Sequence, residues 1–194
     1  MIAVLLLPVC ILFLMPEADL YIIGHRGACG YEPENTLSSF GRAVDMGVRM
    51  IELDVYVCKT GELVVMHDDE VDRTTNGHGH VVDMTFEQLR DLVVEGKEKI
   101  PTLQEVIELI DRRIPINIEL KGPGTATAVA ILVQQYLAHG WTADHFVISS
   151  FDHQQVATFK KLCPNIKTGV CFHGLRHQEA LSVLRKNITP TLLV

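Results

Sequence analysis

The sequence predicts an α/β fold, a TIM (β/α)8-type barrel, on three observations. Past Met15, short apolar runs alternate with amphipathic helical segments, the order of a parallel sheet flanked by helices. No G-x-G-x-x-G turn accompanies the strands, which sets aside a dinucleotide-binding sheet. A long segment, Asp68–Ile100, follows the C-terminal end of one strand, where barrel enzymes carry their substrate loops.

The strand candidates, in order, are Tyr21–His25, Met50–Val57, Leu63–His67, Ile116–Lys121, Phe146–Phe151 and Lys167–Phe172. The first helix is expected over Asn35–Met46, with Leu37, Phe40 and Val44 on one face and Gly47 as its stop. Thr85 with Gln88, Thr102 with Glu105, and Asp152 with Gln155 carry the spacing of a capping box. A helix over Ala126–His139 ends at Gly140. A closed barrel needs eight strands and typically about 250 residues. After the sixth candidate there remain a helix over 177–186 and the tail ITPTLLV. One barrel domain over 20–194 is therefore expected, incomplete after its sixth or seventh strand.

Residues 1–15, MIAVLLLPVCILFLM, form an uncharged apolar run that is short for a membrane span. The run lacks the basic start and A-x-A site of an export signal. Two readings stand: a signal or anchor, giving an exported or membrane-associated protein, or a mis-assigned start, with translation from Met15 in the cytoplasm. The net charge of −7 and the lack of a Lys/Arg run argue against a nucleic-acid partner. Cys10, Cys29, Cys58, Cys163 and Cys171 are dispersed without a CxxC pair. They are expected as free thiols, which favours a reducing compartment.

The second strand candidate alternates acidic and aliphatic residues, placing Glu52 and Asp54 on one face. In a barrel the aliphatic face packs under the helices and both carboxylates point inward. Two like charges about 7 Å apart along a strand in a water-poor interior call for a cation between them. On an edge strand the same pattern would simply face water. The strand Ile116–Lys121 sets Asn117, Glu119 and Lys121 on one face. With Glu119 added, the carboxylates make a hard oxygen site suited to Mg²⁺ or Ca²⁺ and not to zinc. Lys121 reads either as a phosphate contact at the rim or as a surface lysine.

His25 and His67 each end a strand candidate, and a general acid and a general base must flank one scissile bond. Imidazole titrates near neutrality and suits both roles. Arg26 offers a fork for two phosphoryl oxygens. His78 and His80 lie in a Gly-rich loop and read as loop residues before ligands. Cys29 has no base at a readable spacing.

Taken together, His25-Arg26-Gly27, Pro33-Glu34-Asn35-Thr36, Glu52-Leu53-Asp54-Val55, His67-Asp68, Asp72-Arg73-Thr74-Thr75-Asn76-Gly77 and Glu119-Leu120-Lys121 resemble the glycerophosphodiester phosphodiesterase family. Order and spacing match across Tyr21 to His173, most of the chain. The resemblance implies a TIM barrel that hydrolyses glycerophosphodiesters to glycerol 3-phosphate and an alcohol. It implies one divalent cation, Mg²⁺ or Ca²⁺, on Glu52, Asp54 and Glu119, and acid–base work by His25 and His67. Arg26 and Lys121 would hold the phosphate of this small-molecule partner. Glu34 and Asn35, which open the first helix, would be minor substrate contacts or supports. Two rival readings are a lysophospholipase D acting on a lipid-tailed substrate at the same site, and a truncated barrel that keeps its motifs without catalysis.

Overall fold

The computed structural model describes residues 21–172 and 192–193. The apolar run 1–15 and the helix expected over 177–186 lie outside the described residues. The described strands are β1 (Ile23–His25), β2 (Met50–Val57), β3 (Leu63–Val65), β4 (Ile116–Leu120), β5 (Phe146–Ser150), β6 (Lys167–Val170) and β7 (Leu192–Leu193). The α-helices are α1 (Leu37–Asp45), α2 (Phe86–Asp91), α3 (Leu103–Ile110), α4 (Thr125–Ala138) and α5 (His153–Leu162). The path β1-β2-β4-β5-β6-β7 is parallel throughout, which makes it the wall of a (β/α)8-type barrel. The tail does supply a strand, β7, on the far side of β6. No pairing joins β7 to β1 among the described residues.

β3 breaks the βα order expected from sequence. It runs antiparallel to β2, with Val55 opposite Val65 and Val57 opposite Leu63. Residues 58–62 between them are too few for a parallel crossover, which takes a dozen residues or more. β3 is thus the returning arm of a hairpin, and β4 takes the place beside β2 in the barrel wall. The strand also ends at Val65, so His67 lies beyond it and not at a barrel-strand end.

Register sorts the side chains. Ile51, Leu53 and Val55 of β2, Ile116, Ile118 and Leu120 of β4, and Phe146 and Ile148 of β5 pack in one core with the helices. The helices answer with faces at helical spacing: Leu103, Val106, Ile107 and Ile110 on α3, and Ala126, Val129, Ala130 and Val133 on α4. The alternate residues share the other face, with Glu52 level with His25 and Asn117, and Asp54 level with Glu119. A second core of Tyr56, Val64, Met66, Val71, Val81, Leu89, Val94 and Ile100 lies under segment 68–100. That segment therefore carries its own hydrophobic support.

The caps are those the sequence spacing predicts, with one exception. Thr85 and Thr102 form full capping boxes with Gln88 and Glu105. Asp152 caps α5 through Gln154 and Gln155 backbone N–H groups. The Gln155 side chain does not complete that box. It reaches the start of α4 instead, donating to the Gly122 carbonyl and accepting from Ala126 N–H, both at 3.0 Å. Described Cys29, Cys58, Cys163 and Cys171 are free thiols. Replacing Thr102 by Ala removes the α3 cap and is expected to cost about 1 kcal/mol in urea unfolding; no loss beyond the midpoint error would contradict the role given to the box.

Candidate active site

The loop between β1 and α1 is built around left-handed backbone. Arg26 has φ 56°, Gly27 φ 81° and Asn35 φ 58°, and a non-glycine residue held there costs about 1–3 kcal/mol. Gly27 is required twice over, because a Cβ would also meet Ser39 Oγ at 2.3 Å. The turn is tied down by Asn35 N–H and Ser39 Oγ–H, both donating to the Arg26 carbonyl at 3.1 and 2.9 Å. Its product is orientation: Arg26 N–H donates to Glu52 Oε2 at 2.9 Å.

One ligand oxygen from each of Glu52, Asp54 and Glu119 lies within 4.8 Å of the others. Among the described residues this is the one group of three or more acidic, His or Cys side chains so placed. Glu52 and Asp54 are buried. Asn35 Nδ2 donates to Asp54 Oδ2 at 3.0 Å, and the Arg26 Nε lies 3.7 Å from the same oxygen. Lys121 Nζ sits over the carboxylates, 3.0 Å from Glu119 Oε1 and 3.6 Å from Asp54 Oδ1. Burial opposes its charge, but Glu119 and Asp54 more than offset that and hold its pKa above the usual lysine range.

His25 stands in the cleft with its Nε2 3.8 Å from Glu52 Oε2. Partial burial and the adjacent Arg26 charge hold its imidazole below the usual pKa. His67 arrives by way of the hairpin: β3 runs back along β2, Met66 N–H bonds the Asp54 carbonyl at 3.0 Å, and the Tyr56 hydroxyl donates to the His67 carbonyl at 3.4 Å. Its Nδ1 faces Asp68 Oδ1 at 2.6 Å. A carboxylate only accepts, so Nδ1 carries the proton.

His25, Arg26, Glu52, Asp54, His67, Glu119 and Lys121 all line one cleft of about 640 Å³. Glu34 and Asn35 do not line it; Glu34 binds Arg26 and Arg73, and Asn35 binds Asp54. His78 pairs with Asp72, and His80 lies near Asp69 and Glu70, outside this cluster. Asn117, Ser150, Phe151, Asp152 and Cys171, which carry no cleft role in the sequence, also line it, with Leu120. Asn117 alone carried a signal, being on the same strand face as Glu119. The Cys171 thiol is pushed up to about 11 by burial and the Glu119 charge and is a neutral wall group at physiological pH.

The sequence profile of the Glycerophosphoryl diester phosphodiesterase family matches residues 25–189. The chain belongs to that family. A Bacillus subtilis protein is 43% identical over 159 residues, 78% of this chain and 65% of that protein. The glycerophosphodiester phosphodiesterase of Caldanaerobacter subterraneus subsp. tengcongensis is 40% identical over 164 residues, 78% of this chain and 66% of that protein. Among solved structures, a phosphodiesterase of Oleispira antarctica in complex with the product sn-glycerol-3-phosphate superposes with TM-score 0.73 at 33% identity, over 84% of this chain and 71% of that one. The chain thus spans about two thirds of the length of the curated relatives it matches.

The donor set of this glycerophosphodiester phosphodiesterase family site fits a divalent cation. Burial, with the neighbouring Asp54 carboxylate, pushes the Glu52 carboxyl up to about 8, the response of packed acids that lack a strong counter-charge. Between about 4.5 and about 8 the folded chain therefore holds a proton that the unfolded chain has lost. Without a cation, stability is fully present below that window and falls as pH rises through it, by up to about 1.4 kcal/mol per unit. Thermal unfolding after EDTA treatment is expected to show this fall, and added Mg²⁺ or Ca²⁺ to raise Tm more at pH 8 than at pH 5. An equal cation effect at both pH values would contradict binding at these carboxylates.

Proposed function

We propose that the chain is a metal-dependent hydrolase of glycerophosphodiesters, releasing glycerol 3-phosphate and an alcohol. The observation that carries this reading is that one carboxylate cluster shares a single cleft with His25 and His67. The product held by the Oleispira antarctica relative supports the same substrate class here. Glu52, Asp54 and Glu119 would hold the cation, Mg²⁺ or Ca²⁺, as hard oxygen donors. When bound, the cation supplies charge neutralisation at the phosphoryl group as the P–O bond breaks.

The protein's own groups supply the rest. Arg26, just past β1, and Lys121, just past β4, sit beside the cluster and orient the phosphate. One imidazole takes the proton of the attacking oxygen, and the other delivers a proton to the departing alkoxide, so the two transfers balance over the reaction. Phe151, an exposed aromatic side chain, lines the same cleft and offers apolar surface to the alcohol portion.

A lysophospholipase D reading rests on the apolar run 1–15, which would bring the site to a lipid surface. Comparing choline release from glycerophosphocholine and from lysophosphatidylcholine separates the two. The central test pairs size-exclusion mass with EDTA-sensitive release of glycerol 3-phosphate. An aggregated chain without that activity would favour a non-catalytic fragment. His25→Ala and His67→Ala are each expected to lower kcat by about 10²–10⁴-fold, with cation binding by calorimetry little changed. Near-wild-type turnover in either variant would remove that histidine from the proton transfers.

A further inference from the structure

The run Asp72-Arg73-Thr74-Thr75-Asn76-Gly77 takes no part in the chemistry above, and most of it folds its own turn. Asp72 accepts from Gly79 N–H, Thr75 bonds Val71 and Gly77, and Asn76 accepts from Val93 N–H. Arg73 is different, because its guanidinium reaches across to the β1–α1 loop. Nη1 and Nη2 donate to the two oxygens of Glu34 at 3.1 and 2.6 Å, and Nε donates to Asp68 Oδ2 at 2.5 Å.

Each of these carboxylates has a second partner in the cleft. Asp68 Oδ1 takes the His67 Nδ1 at 2.6 Å, and Glu34 Oε1 takes Arg26 Nη1 at 3.1 Å. The result is one chain of bonds, His67–Asp68–Arg73–Glu34–Arg26, with Arg73 as the link between its two halves among the described residues. We propose that Arg73 is a positioning residue that fixes the His67 tautomer and the Arg26 guanidinium together; its effect on turnover rests on the hydrolase reading above.

The geometry needs a planar fork, because a lysine is a point donor and cannot hold both carboxylates in register. By holding Asp68, Arg73 keeps the proton on His67 Nδ1 and leaves Nε2 as the nitrogen for proton exchange. By holding Glu34, it keeps Arg26 turned toward the cleft. Arg73 does not line the cleft itself. The rival reading is a simple staple between segment 68–100 and the β1–α1 loop. Lys97 provides the control, since it joins the same two segments through Glu32 at 2.6 Å and touches neither His67 nor Arg26.

The test uses the full chain, with glycerophosphocholine kinetics and ¹⁵N-imidazole NMR, the His67 signal being assigned by its loss in His67→Gln. Asp68→Asn is expected to move His67 toward the Nε2–H tautomer and to lower kcat about 10–100-fold, as for other residues that orient a catalytic or ligating histidine. Glu34→Gln is expected to raise KM and leave the tautomer unchanged. Arg73→Gln should do both, and Lys97→Gln neither. Arg73→Lys keeps the charge and should show the same two losses in weaker form; it replaces Arg73→Gln if that variant does not fold. An unchanged His67 signal in a folded Arg73 variant, or the same losses in Lys97→Gln, would overturn the proposal. Absence of EDTA-sensitive hydrolysis in the wild-type protein would instead sink the hydrolase reading, and the tautomer shift would still decide the Arg73 link.

Discussion

Three carboxylates turned into one cleft are the constraint around which the rest of this chain is arranged. Two of them, Glu52 and Asp54, are buried two residues apart on one strand, and ionised groups so placed repel and lose hydration. Three nearby residues answer that cost. Arg26 offers a backbone N–H to Glu52, Asn35 an amide to Asp54, and Lys121 an ammonium to Asp54 and Glu119. The left-handed turn at Arg26–Gly27 is intelligible in these terms, because it aims a donor at the cluster. What the protein groups leave uncompensated, seen in the raised Glu52 pKa, is the room a divalent cation would fill.

The second arrangement of note is how His67 reaches the cluster. It is not presented by a barrel strand but carried there by a hairpin that doubles back on β2. The hairpin and the segment after it enclose their own apolar core. Segment 68–100 thus has apolar packing of its own, separate from the core under the barrel helices. The chain belongs to the glycerophosphodiester phosphodiesterase family, although it spans only about two thirds of its relatives' length.

Strand alternation made the barrel-facing residues legible early. Period two places Glu52 with Asp54, and Asn117 with Glu119, whatever the strands pair with, and the aliphatic residues between them must then face the helices. Thr85 and Thr102 announced their helices because a capping box is local chemistry. Gln155 shows where that logic ends: the same spacing was present, but two backbone groups at the start of α4 offered better partners. The direction of β3 was hidden for a related reason, since a short apolar run reads the same in a parallel and an antiparallel ladder.

By itself the sequence determined which residue types share a strand face, where the helices begin, and the carboxylate, imidazole and cationic groups the site would draw on. Those features follow from backbone periodicity and from bonds between near neighbours. Only the tertiary structure decided that β4 lies beside β2, that Glu34 and Asn35 stand behind the cleft, and that Arg73 joins Asp68 to Glu34 across 39 residues of chain. Such contacts depend on which elements are brought together in space, and no local spacing encodes that.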